Sequence, residues 1–236
     1  MPTYGLKEYK KLIRPLPDFV ERDIYDIPII KKQNIDIDRM NNGLWLINMH
    51  NVRNDDKNKD KKIVHTFHND NDLLRAYNNI DNFLKKTSGY YATSTFDFSM
   101  DKKMDFPQIL SAVYANRWSG SYMQSNGKKV TSCVGWLDKT TYDVCFAGLE
   151  DGSVFIISNI GTKNEESYTD FINGYYELRK RFPNSKIICV GSKSDGMDLD
   201  VCYVKYEETF GNWDKYKKYW QPQLFNWNEY NAQDCV

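Results

Sequence analysis

Asp97, Ser99 and Asp138 are the residues whose type and place best suit chemistry. Asp97 and Ser99 close an apolar, hydroxyl-rich run, Tyr90-Tyr91-Ala92-Thr93-Ser94-Thr95-Phe96, and Asp138 follows a second such run, Lys129 to Trp136. A carboxylate at a strand exit is where a general base, an acceptor for a ribose hydroxyl or a metal ligand usually stands. A purely structural Asp97, pairing with Arg117 or accepting loop N–H groups, is the competing reading. His65, His68, Trp136, Asn159, Gly161, Ser192 and Lys193 fall at the ends of successive candidate strands. With Asn116 and Arg117, from a helix between two of them, they make up the candidate ligand-binding set.

The residue types narrow the chemistry. Ile160-Gly161-Thr162 and Gly191-Ser192-Lys193-Ser194 are glycine turns after strands, able to aim backbone N–H groups at a phosphate. Neither is a Walker or G-x-G-x-x-G motif, and Glu165 and Glu166 already complement the helix that follows the first turn. Ser99 has no G-x-S-x-G context, so an acyl-transfer serine is not indicated. His50, His65, His68, Asp70 and Asp97 are the residues from which a metal site would be built. His65 and His68, however, face opposite ways along a strand unless it ends between them, and no H-E-x-x-H pattern occurs. No metal is expected, and the residues name no cofactor. The five cysteines, Cys133, Cys145, Cys189, Cys202 and Cys235, form no C-x-x-C pair and read as small apolar fillers, with Cys235 the exposed exception.

These groups need elements to position them. Residues 1–42 are broken by Pro15, Pro17 and Pro28 and have no steady period, so they read as an N-terminal arm with one short helix near Lys7 to Ile13. From Gly43 the rhythm becomes α/β. Strands are expected at 43–50, 62–68, 90–99, 129–136, 153–159, 186–191 and 201–206. Helices are expected after Asn69-Asp70-Asn71-Asp72, at Asp105 to Gln124, at Thr140 to Leu149 and at Glu165 to Phe182. The Asp105-Phe106-Pro107-Gln108 start has the form of a capping box with Pro in the first turn; its buried stripe includes Asn116 and leaves Arg117 at the margin, where a charge-assisted pair with Asp97 is expected. The apolar runs at 153–159 and 186–191 do not alternate, as expected for parallel strands covered on both faces. The domain, residues 43–210, is therefore α/β with a mainly parallel sheet of βαβ units, either an incomplete (β/α) barrel or an open doubly wound sheet. An aromatic C-terminal tail, residues 211–236, carries Trp213, Tyr216 and Trp220 at helical spacing and is expected to dock on the domain.

Composition bounds the partners. Thirty-two basic residues balance thirty-two acidic ones in the 236, so no global field draws the chain to nucleic acid or to an anionic membrane. The runs Leu178-Arg179-Lys180-Arg181 and Lys215 to Trp220 keep nucleic acid as a lesser reading. No apolar run approaches the roughly 20 residues of a membrane span, and the first residues lack a signal-peptide core, so the cytoplasm of a bacterial or phage-infected cell is the expected location. Two function classes follow. One is a pocket protein for a nucleotide or other small phosphorylated ligand, whether or not it is an enzyme. The other is a non-enzymatic interaction protein that meets a host or defence-system protein through its C-terminal tail.

His65-Thr66-Phe67, Asp97-Phe98-Ser99, Asn116-Arg117-Trp118, Trp136-Leu137-Asp138 and Gly148, in this order and spacing, resemble the DUF4417 family of bacteria, phages and other mobile elements. The resemblance runs from about Tyr25 to about Tyr206 and leaves out the aromatic tail. It implies a phage or mobile-element setting and matches Asp97, Ser99, Asn116 and Arg117 residue by residue, while carrying no activity over. Phe96 stands where the family pattern leads one to expect a small residue or proline.

Overall fold

Seven strands pair side by side in the order in which the chain makes them, all parallel: β1 (Trp45–Asn48), β2 (Lys62–His65), β3 (Ala92–Ser94), β4 (Val130–Cys133), β5 (Val154–Ser158), β6 (Lys186–Val190) and β7 (Cys202–Val204). An order that never reverses has no topological switch point, so of the two expected architectures the barrel-type winding is the one adopted. The computed structural model describes residues 14–162 and 164–210. In it, the sheet curls until Leu46, Ile63, Ala92, Cys133, Ile156, Ile188 and Val204, one from each strand, share a single buried cluster. The barrel is nearly closed. A 3₁₀ turn, Tyr206–Phe210, packs against β1 beyond β7. There Asn51 Nδ2 donates to the Phe210 carbonyl at 2.8 Å, and the Tyr206 hydroxyl donates to the Phe67 carbonyl at 3.3 Å.

Alternate strand residues face outward, under the helices α1 (Asp70–Asn78), α2 (Ile80–Lys86), α3 (Phe106–Ser125), α4 (Tyr142–Cys145) and α5 (Glu165–Arg181). Ile47, Val64 and Val130 meet Leu73, Tyr77, Phe83, Trp118 and Met123 in one outer cluster. Phe155, Ile157, Ile187 and Cys189 meet Val113, Tyr175 and Leu178 in another. β5 thus buries Val154 and Ile156 inside and Phe155 and Ile157 outside, which is why its sequence shows no alternation. Cys133, Cys145 and Cys189 are buried fillers, and Cys202 is half-buried.

α3 starts as expected, with the Asp105 N–H donating to Gln108 Oε1 at 2.9 Å. The described part of the arm, residues 14–42, runs beside this helix as irregular chain that folds back on itself at Arg22 and Pro28 and ends in a 3₁₀ turn, Ile37–Asn42. Trp118 Nε1 donates to the Arg14 carbonyl at 2.8 Å, Gln124 Nε2 to the Lys31 carbonyl at 2.7 Å, and the Ile30 N–H to the Gly148 carbonyl at 2.9 Å. At Gly120 a Cβ would strike both Thr95 and Ile30, so α3 is clamped between the end of β3 and the arm.

Most strands are shorter than their sequence suggests, and in two places the side chains that end the element can be named. β3 ends at Ser94 because side-chain acceptors take over from the strand ladder: the Phe96 N–H donates to Ser119 Oγ at 3.1 Å and the Asp97 N–H to Thr66 Oγ1 at 3.2 Å. The helix expected over Thr140 to Leu149 is only α4, because Arg117 captures the Cys145 and Ala147 carbonyls that would have propagated it. The short helix near Lys7 to Ile13, the tail at 211–236 and Cys235 lie outside the described residues.

Candidate functional site

The strands all end on one rim, and the candidate residues collect there. His65, the last residue of β2, is fully buried. Its Nδ1 accepts the Phe67 N–H at 3.3 Å, while its Nε2 has no hydrogen-bond partner. Burial first, and then the neighbouring His68, lower its pKa to about 3, so the ring is neutral. Thr66 ties β2 to β3, donating to the Thr95 carbonyl at 2.6 Å. In the sequence, Ser94 and Thr95 are marked only as part of a run of hydroxyls, and Thr66 only through the His65-Thr66-Phe67 motif.

Asp97 lines a narrow cleft with Asn116, Arg117, Gly135 and Cys145. Burial above all, then the Asp70 carboxylate, raise its carboxyl to about 7 against the opposing pull of Arg117. The expected charge-assisted Asp97–Arg117 bond does not form. Arg117 lies wholly inside rather than at a helix margin, and its donors go to the carbonyls of Ala147 (2.8 Å), Cys145 (2.6 Å) and Cys133 (3.3 Å) and to Asn116 Oδ1 (2.6 Å). Burial lowers its pKa to about 10, leaving it charged at neutral pH. Asn116 completes this knot by donating to the Cys133 carbonyl at 3.1 Å. A carboxyl that titrates near neutrality beside a fixed cation can take up and return a proton.

Ser99 is exposed, and its N–H donates to Asp70 Oδ1 at 3.1 Å; no base among the described residues is bonded to its hydroxyl. Asp138 Oδ1 accepts the Thr140 N–H and hydroxyl at 2.8 and 2.6 Å, and these bonds hold its carboxyl below the usual range. Trp136 is committed to packing. Its ring stacks on Phe171 at 5.5 Å and lies so close to α5 that only Gly174 fits beneath it.

Beyond β5, β6 and β7 the rim opens into a pocket of about 510 Å³ lined by Asn159, Thr162, Tyr168, Ser192, Lys193, Ser194, Asp195, Lys205, Tyr206 and Glu207. The two glycine turns therefore meet, as their positions suggest. Asn159 joins them: its Nδ2 donates to the Ser192 carbonyl at 2.6 Å and to Ser194 Oγ at 2.7 Å, and its Oδ1 accepts the Ser192 N–H at 3.1 Å. Gly191, at φ +138°, is required because a Cβ would run into that same Oδ1. Gly161, at φ +98°, turns the chain at the neighbouring loop. The basic run on α5 is neutralised by its surroundings. Arg179 pairs with Asp198 and Asp200, Lys180 with Glu177, and Arg181 with Asp143 and Glu177.

On the opposite side, after β1 and β2, His50, His68 and Asp72 bring one ligand atom each within 4.8 Å of one another. Asp72, in the first turn of α1, escapes a sequence reading because it looks like part of a helix cap. His65 takes no part in this group; β2 ends there, and His68 stands in the loop beyond it rather than on the opposite face of one strand.

A family model described as a domain of unknown function, DUF4417, matches residues 19–207. The chain belongs to the DUF4417 family. The DUF4417 match takes in all seven strands and every candidate site residue. This DUF4417 chain is also similar to two phage proteins. It is 29% identical over 157 residues to the "Gene 1 protein" of Mycobacterium phage L5, covering 66% of this chain and 68% of that protein. It is 28% identical over 156 residues to the "Gene 1 protein" of Mycobacterium phage D29, covering 66% of this chain and 57% of that one. No solved structure matches it. Among the described residues, no helix is long and apolar enough to cross a membrane.

Proposed function

We propose that this DUF4417 protein binds a small phosphorylated ligand, of the nucleotide class, in the rim pocket between β5, β6 and β7, inside a bacterial or phage-infected cell. The observation that carries this reading is the Gly191-Ser192-Lys193-Ser194 loop, pinned by Asn159, which takes the Ser192 N–H and leaves the loop's side chains lining one wall of a polar pocket. Lys193 and Lys205 supply positive charge, and Thr162, Ser192 and Ser194 supply hydroxyls at the same opening. Asp195 and Glu207 line it too, and would suit ribose hydroxyls better than a bare phosphate. A volume of about 510 Å³ lies within the range of small-molecule sites, roughly 300–1,000 Å³. Barrel enzymes commonly hold phosphates in the loops after their last strands, which is the place this pocket occupies.

The test is thermal unfolding of the full chain with millimolar inorganic phosphate, pyrophosphate, and nucleoside mono-, di- and triphosphates. A ligand at 100 times its Kd stabilises the folded state by about 2.7 kcal/mol, or about 5–10 °C in a chain of this size. At least one of these probes should produce such a shift, and Lys193→Ala should remove it. No shift with any of them, or a shift that Lys193→Ala leaves intact, overturns the reading.

A further inference from the structure

We propose that His50, His68 and Asp72 form a binding site for a divalent transition-metal ion of the Zn²⁺ class, with coordination positions left open to solvent. The three donors come from separate elements: the turn after β1, the loop after β2 and the first turn of α1. Their ligand atoms lie within 4.8 Å of one another, and the two imidazoles stand nearly perpendicular, at 76°, with centroids 4.3 Å apart.

An ordinary ion pair between His68 and Asp72 does not account for the arrangement. His68 Nε2 is shielded from solvent and lies 3.3 Å from Asp72 Oδ2, yet it makes no hydrogen bond. A pair formed for its own sake would align that bond; a nitrogen and an oxygen set side by side instead are arranged to share a third atom. Nor does a pair explain the second imidazole, His50, whose ring stands edge-on against that of His68.

The supporting framework is what a metal site requires. Asn48, fully buried at the end of β1, accepts the His50 N–H at 2.9 Å and donates to the Phe67 carbonyl, immediately before His68, at 3.1 Å. One buried amide thus fixes both histidine-bearing turns. Asp72 is oriented in turn by Asn69 Nδ2 on Oδ2 at 2.8 Å and by Arg75 on Oδ1 at 3.1 Å. Such outer bonds are the usual means of pre-setting metal ligands. Two imidazole nitrogens with one carboxylate select Zn²⁺, Fe²⁺ or Ni²⁺ over Mg²⁺ or Ca²⁺, which prefer oxygen donors. Because His50 is exposed, water or a substrate can reach the remaining positions, as in sites that do chemistry rather than hold a fold together.

The experiment is titration of the chelator-stripped full chain with Zn²⁺ alone, followed by calorimetry, with Co²⁺ as an optical reporter. Wild type should bind one equivalent of Zn²⁺ and give visible Co²⁺ absorption. His50→Ala and His68→Ala should each weaken binding more than about 100-fold, beyond the 10–100-fold expected of an outer-shell partner, and abolish the Co²⁺ spectrum. His50 is exposed, so His50→Ala should melt like wild type without metal, which separates loss of the site from loss of the fold. Absence of Zn²⁺ binding by wild type, or wild-type affinity in either alanine variant, overturns the proposal.

Discussion

Replacing Asp97 by Asn tests how the cleft beside Arg117 treats its carboxyl. Asp97 titrates near 7 in the folded chain, against 3.8 for an ordinary aspartate, chiefly because it is buried and faces Asp70. Above about pH 4 the unfolded chain has released this proton while the native state keeps it. Native protein then binds more protons than unfolded protein, so stability falls as pH rises from about 4 to about 7 and levels off beyond. A displacement of that size corresponds to about 4 kcal/mol as an upper figure. Asparagine has a similar shape and no proton to lose. Asp97→Asn should therefore exceed wild type by more at pH 8 than at pH 5, the gap widening between the two by at least about 1 kcal/mol and at most about 3 kcal/mol. Urea unfolding of both proteins at the two pH values and constant ionic strength measures the difference, and comparing the two chains cancels the other titrating groups. If Asp97→Asn is the less stable protein at pH 8, the carboxylate is contributing to the fold and its reading as a poised proton carrier fails.

Arg117→Gln should lose about 3–5 kcal/mol, because it strips the donors from buried carbonyls at Cys133, Cys145 and Ala147; a near-normal melt would refute this. Gly191→Ala should cost more than about 1 kcal/mol and displace Asn159, since both the backbone angle and the space forbid a side chain there. Hydrogen exchange across residues 191–195 should rise in that variant and stay protected if the reasoning is wrong. The chelator-stripped chain should still unfold cooperatively, because the clusters inside and outside the barrel are apolar and self-sufficient; loss of cooperative unfolding on stripping, restored by one divalent ion, would show that the fold itself depends on a metal.

Much of this architecture was legible from residue patterns. Unbroken apolar runs identified β5 and β6 as doubly covered strands, and Asp105 with Gln108 marked the start of the longest helix. What escaped a local reading arose from contacts between distant segments. Arg117 was placed at a helix margin, yet α3 has no solvent margin there, because the arm and the chain around α4 close over it. β3 looked long because Thr95 to Ser99 carry strand-like residues, and it is short because Thr66 and Ser119 intercept their N–H groups. Alternation did not govern His65 and His68, because β2 ends at His65 and leaves His68 in the loop beyond it. The partner His68 does find, Asp72, was hidden because an acidic residue in a first helical turn is ordinarily read as dipole compensation.

The arm poses a problem of timing. Lys32 donates its N–H to Glu150, 118 residues later, and Arg14 meets Trp118 across 104. On the ribosome, at about 5–20 residues per second, the arm is made on the order of ten seconds before the surface it covers exists. Until then Ile27, Ile30 and Ile35, all buried in the finished protein, remain exposed on an unpartnered segment. Docking of the arm must therefore follow closure of α3 onto β3 and β4, which makes the nascent chain most vulnerable to proteases and chaperones at the end that emerges first.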